Sequence, residues 1–213
     1  SVHIKKIDKI FQTIPMQLEK VVDETSARFS FNQLGTNVKY HTLHWSFQFL
    51  KNAGLIIRSF IVSKVDIPFR VHEQTEERNI FKCFYFDMGL LGAALNTPLN
   101  RAQEELGAYK GYLAENFVAI SLHLHLQTEL VSFKKSSKVG SAEVEFLLSG
   151  AQGTVIPIEV KSSRRSLSSK SLDSFVKSYQ PENAYKLVPI SGNELAGKGY
   201  KVLPLYMIDK IGY

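Results

Sequence analysis

Residues 142–162, AEVEFLLSGAQGTVIPIEVKS, decide how the chain is read. Two apolar runs flank SGAQG, whose glycines Gly150 and Gly153 mark a turn between strands. Successive side chains on a strand point to opposite faces. Alternation puts Glu143, Glu145 and Leu147 on one face of AEVEFLL, and Val144, Phe146 and Leu148 on the other. In TVIPIEVK, Glu159 and Lys161 share a face, opposite Ile156, Ile158 and Val160. If the runs pair as neighbours, Glu145, Glu159 and Lys161 converge at one end of a sheet. Such charges can simply solvate the open face of a half-covered sheet. Two carboxylates beside a lysine also suit phosphodiester hydrolysis assisted by Mg²⁺, a hard cation that takes oxygen ligands and keeps several waters. In that reading Glu145 and Glu159 hold the metal, and Lys161 positions the attacking water or offsets charge on phosphorus.

Upstream, GYLAENFVAISLHLHLQ has Leu113, Phe117, Ile120 and Leu124 at helical spacing, with Glu115 inside a second apolar face beside Val118 and Leu122. A partly buried glutamate needs a partner or a metal. A first-turn position offers Glu115 another role, favourable interaction with the helix dipole. Downstream, SLDSFVKSY reads as a helix with Ser171 as its N-cap and Leu172, Phe175, Val176 and Tyr179 on one face. ELVSFKK, YKLVPI and YKVLPLYMI read as further extended runs, so residues 87–213 form a small α/β domain.

Residues 1–86 are helix-rich and then extended. Ile4, Ile7, Ile10 and Phe11 follow helical spacing, and Pro15 opens a second helix. KYHTLHWSFQFLKNAG forms another, with Leu43, Phe47 and Leu50 inside. LIIRSFIVSKV and IFKCFYF follow as an extended pair, which is the order of a winged helix-turn-helix. Its recognition helix would present His41, His44, Gln48 and Lys51, a stripe with one permanent charge. That stripe leaves two uses open, DNA reading and domain packing.

The chain has 213 residues with 26 Lys+Arg against 20 Asp+Glu, net +6. The excess is split evenly between residues 1–100 and 101–213, so only local clusters carry an argument. Lys134, Lys135 and Lys138 precede AEVEFLL, and Arg164, Arg165 and Lys170 follow Lys161. Serines surround both groups, which suits contact with a phosphate backbone, as of DNA; a solvated loop is the plain reading. Cys83 alone forms no disulfide, and its apolar surroundings point to an inert thiol. His123 and His125 diverge on their helix, and His41 with His44 lack a nearby third ligand. GNELAGKG (192–199) has phosphate-loop spacing, but Gly199 replaces the Ser/Thr and no helix follows, so it is a chance match. No apolar run reaches the ~18 residues of a membrane-spanning helix. The expectation is a soluble cytoplasmic fragment of a longer protein, without membrane contact and able to oligomerise.

GYLAENFV, AEVEFLL, VIPIEVKS and the SLDSF helix together resemble the C-terminal domain of unknown function in a family of prokaryotic AAA-type ATPases. IPMQLEKVV, FSFNQLG, FLKNAGLI and FYFDMGLL resemble the winged helix and linker that precede it there. The resemblance implies a restriction-endonuclease-like α/β fold of PD-(D/E)XK type, with Glu115 as the helix glutamate, Glu145 as the first strand acid, and Glu159 and Lys161 as the E-X-K pair. It also implies a partner ATPase domain of the same protein, which alone would bind ATP, while Mg²⁺ is expected from the two carboxylates themselves. The family position at Glu145 is usually aspartate, so the carboxylate here sits one methylene further out.

Overall fold

The computed structural model describes residues 2–19, 29–35, 38–75, 80–95, 109–137, 140–163, 168–193, 195–196 and 199–212. The extended runs form β1 (Ile56–Val62), β2 (Phe81–Tyr85), β3 (Leu130–Ser137), β4 (Gly140–Ser149), β5 (Val155–Val160), β6 (Tyr185–Val188), β7 (Leu195–Ala196) and β8 (Lys201–Pro204). They join in one mixed sheet in the order β2-β1-β3-β4-β5-β6-β8-β7. β1 is parallel to β3, β5 to β6 and β6 to β8, while the other neighbours are antiparallel. The helices are α1 (Val2–Glu19), α2 (Tyr40–Asn52), α3 (Val71–Thr75), α4 (Met88–Ala94), α5 (Tyr109–Leu126) and α6 (Lys170–Tyr179). The class is therefore mixed α/β, as expected. None of the described helices is long and apolar enough to cross a membrane.

Strand parity divides the core. Ile57, Phe84, Phe146, Leu148 and Ile158 pack with Ala114, Val118 and Leu122 of α5. Ile56, Phe60, Phe81 and Cys83 face the other way, against Ile10 and Ile14 of α1 and Phe47 and Leu50 of α2. Val62, two residues after Phe60 and so on the same face, belongs with Phe133, Val144, Leu147 and Phe175 of α6. The sheet thus lies between α5 on one side and α1, α2 and α6 on the other.

β1 and β2 pair antiparallel after α1 and α2, in the order expected of a winged helix over residues 1–86. The ribbon is not a free wing, because the second edge of β1 is taken by β3 from Ser59↔Leu130 to Val62↔Phe133. Strands on either side of residue 86 share one sheet. The burial of β1 explains this: every residue but Ile61 is buried, the pattern of a strand covered on both faces.

Pro15 does not open a second helix but sits inside the continuous α1. Proline lacks the N–H that would meet the carbonyl four residues back, here that of Phe11. The Tyr85 hydroxyl on β2 donates to that carbonyl at 2.7 Å instead. The Phe11 ring meets Tyr85 edge-on, with centroids 4.7 Å apart. Tyr85→Phe leaves the carbonyl without this donor and should cost about 1–3 kcal/mol in urea unfolding. Pro15→Ala restores an N–H for Phe11, so the same substitution should cost less in that background. Equal costs in the two backgrounds would break the link.

Candidate functional site

β4 and β5 are held together from Ser149↔Val155 to Phe146↔Ile158. Glu145 and Glu159 are the next residues, just past the last pair. The ladder opens there, and a side chain replaces it: Val160 N–H donates to Glu145 Oε2 at 3.0 Å. β4 also carries one extra residue. Between Val131↔Leu147 and Phe133↔Val144, β3 advances two residues and β4 three. Such a bulge re-aims side chains, and it corrects the simple alternation. Val144 packs with Leu147 toward α6, whereas Phe146 and Leu148 turn toward α5.

Glu145, Glu159 and Lys161 do come together. Lys161 Nζ lies 2.6 Å from Glu159 Oε1 and 3.8 Å from Glu145 Oε1. Glu159 is 1 % exposed, and Ser169 Oγ donates to its Oε2. The same Ser169 hydroxyl accepts from Leu172 N at 3.1 Å, so Ser169, rather than Ser171, caps α6. Opposite Glu159 in the β5–β6 ladder stands Lys186, fully buried, with Nζ donating to Ser168 O at 2.8 Å. Burial pulls its ammonium below the usual lysine range. The signal for it was a lysine inside the apolar run YKLVPI.

Glu115 takes a partner that the sequence reading missed. α5 begins at Tyr109, so Glu115 stands past the first turn, not at the dipole end. Its Oε2 meets Lys82 Nζ of β2 at 3.1 Å, and the same ammonium lies 2.9 Å from Glu143 Oε1. Lys82 is 3 % exposed. Burial works against its charge, but Glu115 and Glu143 outweigh it and hold the proton on. Burial likewise raises the Glu143 carboxyl, yet Lys82 and Lys134 bring it below the ordinary range. The signal for Lys82 was again a lysine within an apolar run, IFKCFYF.

The expected basic loops fare unevenly. Lys134 and Lys135 lie in β3 itself, and Lys134 Nζ is held 3.2 Å from Glu143 Oε2. Lys135 is exposed, as is Lys170 at the start of α6. Lys138, Arg164 and Arg165 lie outside the described residues. On α2, Lys51 Nζ is 2.5 Å from Glu129 Oε1 and Gln48 donates to Asn52 at 2.9 Å, while His41 and His44 are exposed. The stripe beside them exposes Trp45 and Phe49, which the spacing of Leu43, Phe47 and Leu50 leaves off the inner face. Leu195 and Ala196 of the phosphate-loop look-alike form β7 against β8. Cys83 is buried, and burial pushes its thiol up to about 12.

Among the described residues, no group of three or more His, Cys, Asp or Glu is gathered to hold a metal ion. Glu115 turns to Lys82 instead of joining Glu145 and Glu159. The pair that remains offers hard carboxylate oxygens from two strands, both against one ammonium, which is donor chemistry of the kind Mg²⁺ takes. The residues fit that ion as a two-carboxylate site.

Burial pushes the Glu145 carboxyl up to about 8, against the pull of Lys161 and with help from Glu115. This value lies above the ordinary 4.5, so between the two the folded chain holds a proton that the unfolded chain has lost. Stability therefore falls as pH rises through that window. Glu143 acts at the acid end, and Lys82 and Lys161, both raised, act at the alkaline end. Denaturation midpoints of the metal-free protein should decline from about pH 5 to about pH 8, and Glu145→Gln should flatten the decline. Parallel profiles would remove Glu145 as its source.

Residues 110–208 match the family described as Domain of unknown function (DUF4143). The stretch holds Glu115, Glu143, Glu145, Glu159 and Lys161, while Lys82 precedes it. No curated protein matches the chain, and no solved structure does.

Proposed function

We propose that the chain carries a restriction-endonuclease-like domain of PD-(D/E)XK type. In this reading it is a module of an AAA-type ATPase and cleaves nucleic-acid phosphodiesters with Mg²⁺. The observation that carries the reading is the meeting of Glu145, Glu159 and Lys161 where two paired strands part. The order α5, β3, β4, β5, α6, β6 agrees with the fold that the resemblance implies.

Glu145 and Glu159 would hold the ion. When bound, Mg²⁺ polarises the phosphate and lowers the pKa of its water. Val160 N–H fixes one oxygen of Glu145, and the Ser169 hydroxyl fixes one oxygen of Glu159, so the other oxygen of each faces Lys161. The Lys161 side chain is 44 % exposed, which leaves its ammonium able to orient an attacking water or offset charge on phosphorus. Exposed Lys135 and Lys170 offer contacts to the phosphate backbone. α2 serves packing rather than base reading, because its lysine is already held by Glu129.

A second reading rests on the same charges. Lys82 and Lys134 already stand against Glu115 and Glu143, and Lys161 against Glu145 and Glu159, a pairing of charges that suits an inactive module docking the ATPase core or a protein partner. Incubation with single- and double-stranded DNA in Mg²⁺ or Mn²⁺ separates the two. Cleavage is expected only with the metal, and Lys161→Ala should lower its rate by roughly 10²–10⁴. Cleavage undiminished in Lys161→Ala would overturn the mechanism. Absence of both cleavage and salt-sensitive DNA binding would favour the docking module.

A further inference from the structure

Lys82 comes from β2, three strand spacings away from Glu143 on β4. At about 4.8 Å per spacing the gap is roughly 14 Å, near the combined reach of one lysine and one glutamate. The stem must therefore cross the sheet face under α5, and the residue facing Lys82 on β1 is Ser59, small enough to pass over. Ser59 Oγ lies 2.6 Å from Ser132 Oγ of β3, whose hydroxyl donates to Glu145 O at 2.7 Å. A row of buried polar side chains thus runs from Lys82 to the strand that carries Glu145.

The ammonium at the end of this reach lies between two carboxylates from different elements. It is 2.9 Å from Glu143 and 3.1 Å from Glu115, and its side chain is 4 % exposed. Two carboxylates from a helix and a strand, facing one point on the side of the sheet that α5 covers, are what a second divalent ion would use. We propose that Lys82 is a built-in cation that fills this second position, so that the site takes one divalent ion, on Glu145 and Glu159. The proposal rests on the metal-dependent reading above and assigns Lys82 as a positioning residue within it. It also assigns Glu115 to the lysine and not to the metal.

The geometry supports the assignment in two further ways. Glu143 is held on its other oxygen by Lys134 at 3.2 Å, so both carboxylates of the pair are already committed to ammonium groups. Removing Lys82 would leave Glu143 with Lys134 alone and Glu115 without its ion pair, and a divalent cation is the replacement of matching chemistry.

Titration of the full 213-residue chain with Mn²⁺, followed by the electron paramagnetic resonance signal of the free ion, tests this. Wild type and Lys82→Arg should take one ion per chain, and Lys82→Met two. One ion in a folded Lys82→Met would overturn the proposal, as would two in wild type. No ion in wild type would instead remove the metal-dependent reading, and this proposal with it. If Lys82→Met fails to fold, Glu115→Gln decides. Its Mn²⁺ affinity should stay within about threefold of wild type, whereas a metal ligand's loss would cost at least the roughly tenfold that even supporting partners cost.

Discussion

Every buried N–H must find an acceptor, and at Val160 the neighbouring strand has stopped providing one. The β4–β5 ladder ends at Phe146↔Ile158, and a carboxylate takes over where a backbone carbonyl would have continued. Much follows from that substitution. An acid doing the work of a strand is buried with the strand, while Lys161, its partner, keeps its side chain half-exposed. Lys161 sits closer to Glu159 than to Glu145, and burial holds the Glu145 carboxyl above the ordinary range against its pull. Ser169 then ties Glu159 to the first turn of α6, so the position of that helix and the orientation of the acid depend on one hydroxyl.

Buried ion pairs are a poor means of stabilising a sheet, since taking charges out of water costs about as much as their attraction returns. Even so, Lys82, Lys186, Glu145 and Glu159 are each less than a tenth exposed. They are concentrated around one opening in one sheet, while the surrounding faces are filled by Phe84, Phe146, Val118 and Leu187. Similar charges scattered over a scaffold would read as incidental. Gathered at a bulge and a ladder end, they read as a place where the fold accepts a stability cost to hold particular groups.

The elements were legible in the sequence because their patterns are local. Period-two runs gave β4 and β5, and helical spacing gave α2, α5 and α6. The convergence of Glu145, Glu159 and Lys161 was legible too, since two adjacent strands and a short turn fix it. What escaped notice depends on partners distant in sequence. The bulge in β4 exists only relative to β3. Lys82 looked like an interruption of an apolar run until β1 and β3 brought it within reach of Glu143. Pro15 read as a helix start because the donor that lets the helix continue, Tyr85, comes from a strand. Ser169 and Ser171 are equally good caps by residue type, and the bond to Glu159 chose between them.

The sheet also bears on where this protein can be divided. The match to the domain of unknown function runs from residue 110 to 208, yet β3 is covered on one edge by β1, and Glu115 and Glu143 share a lysine from β2. A piece trimmed to the family's limits would expose a strand edge ready to pair with another copy of itself. It would also keep two carboxylates without the cation that joins them. The sheet that holds these groups is longer than the stretch of sequence similarity, and it includes the strands that precede it.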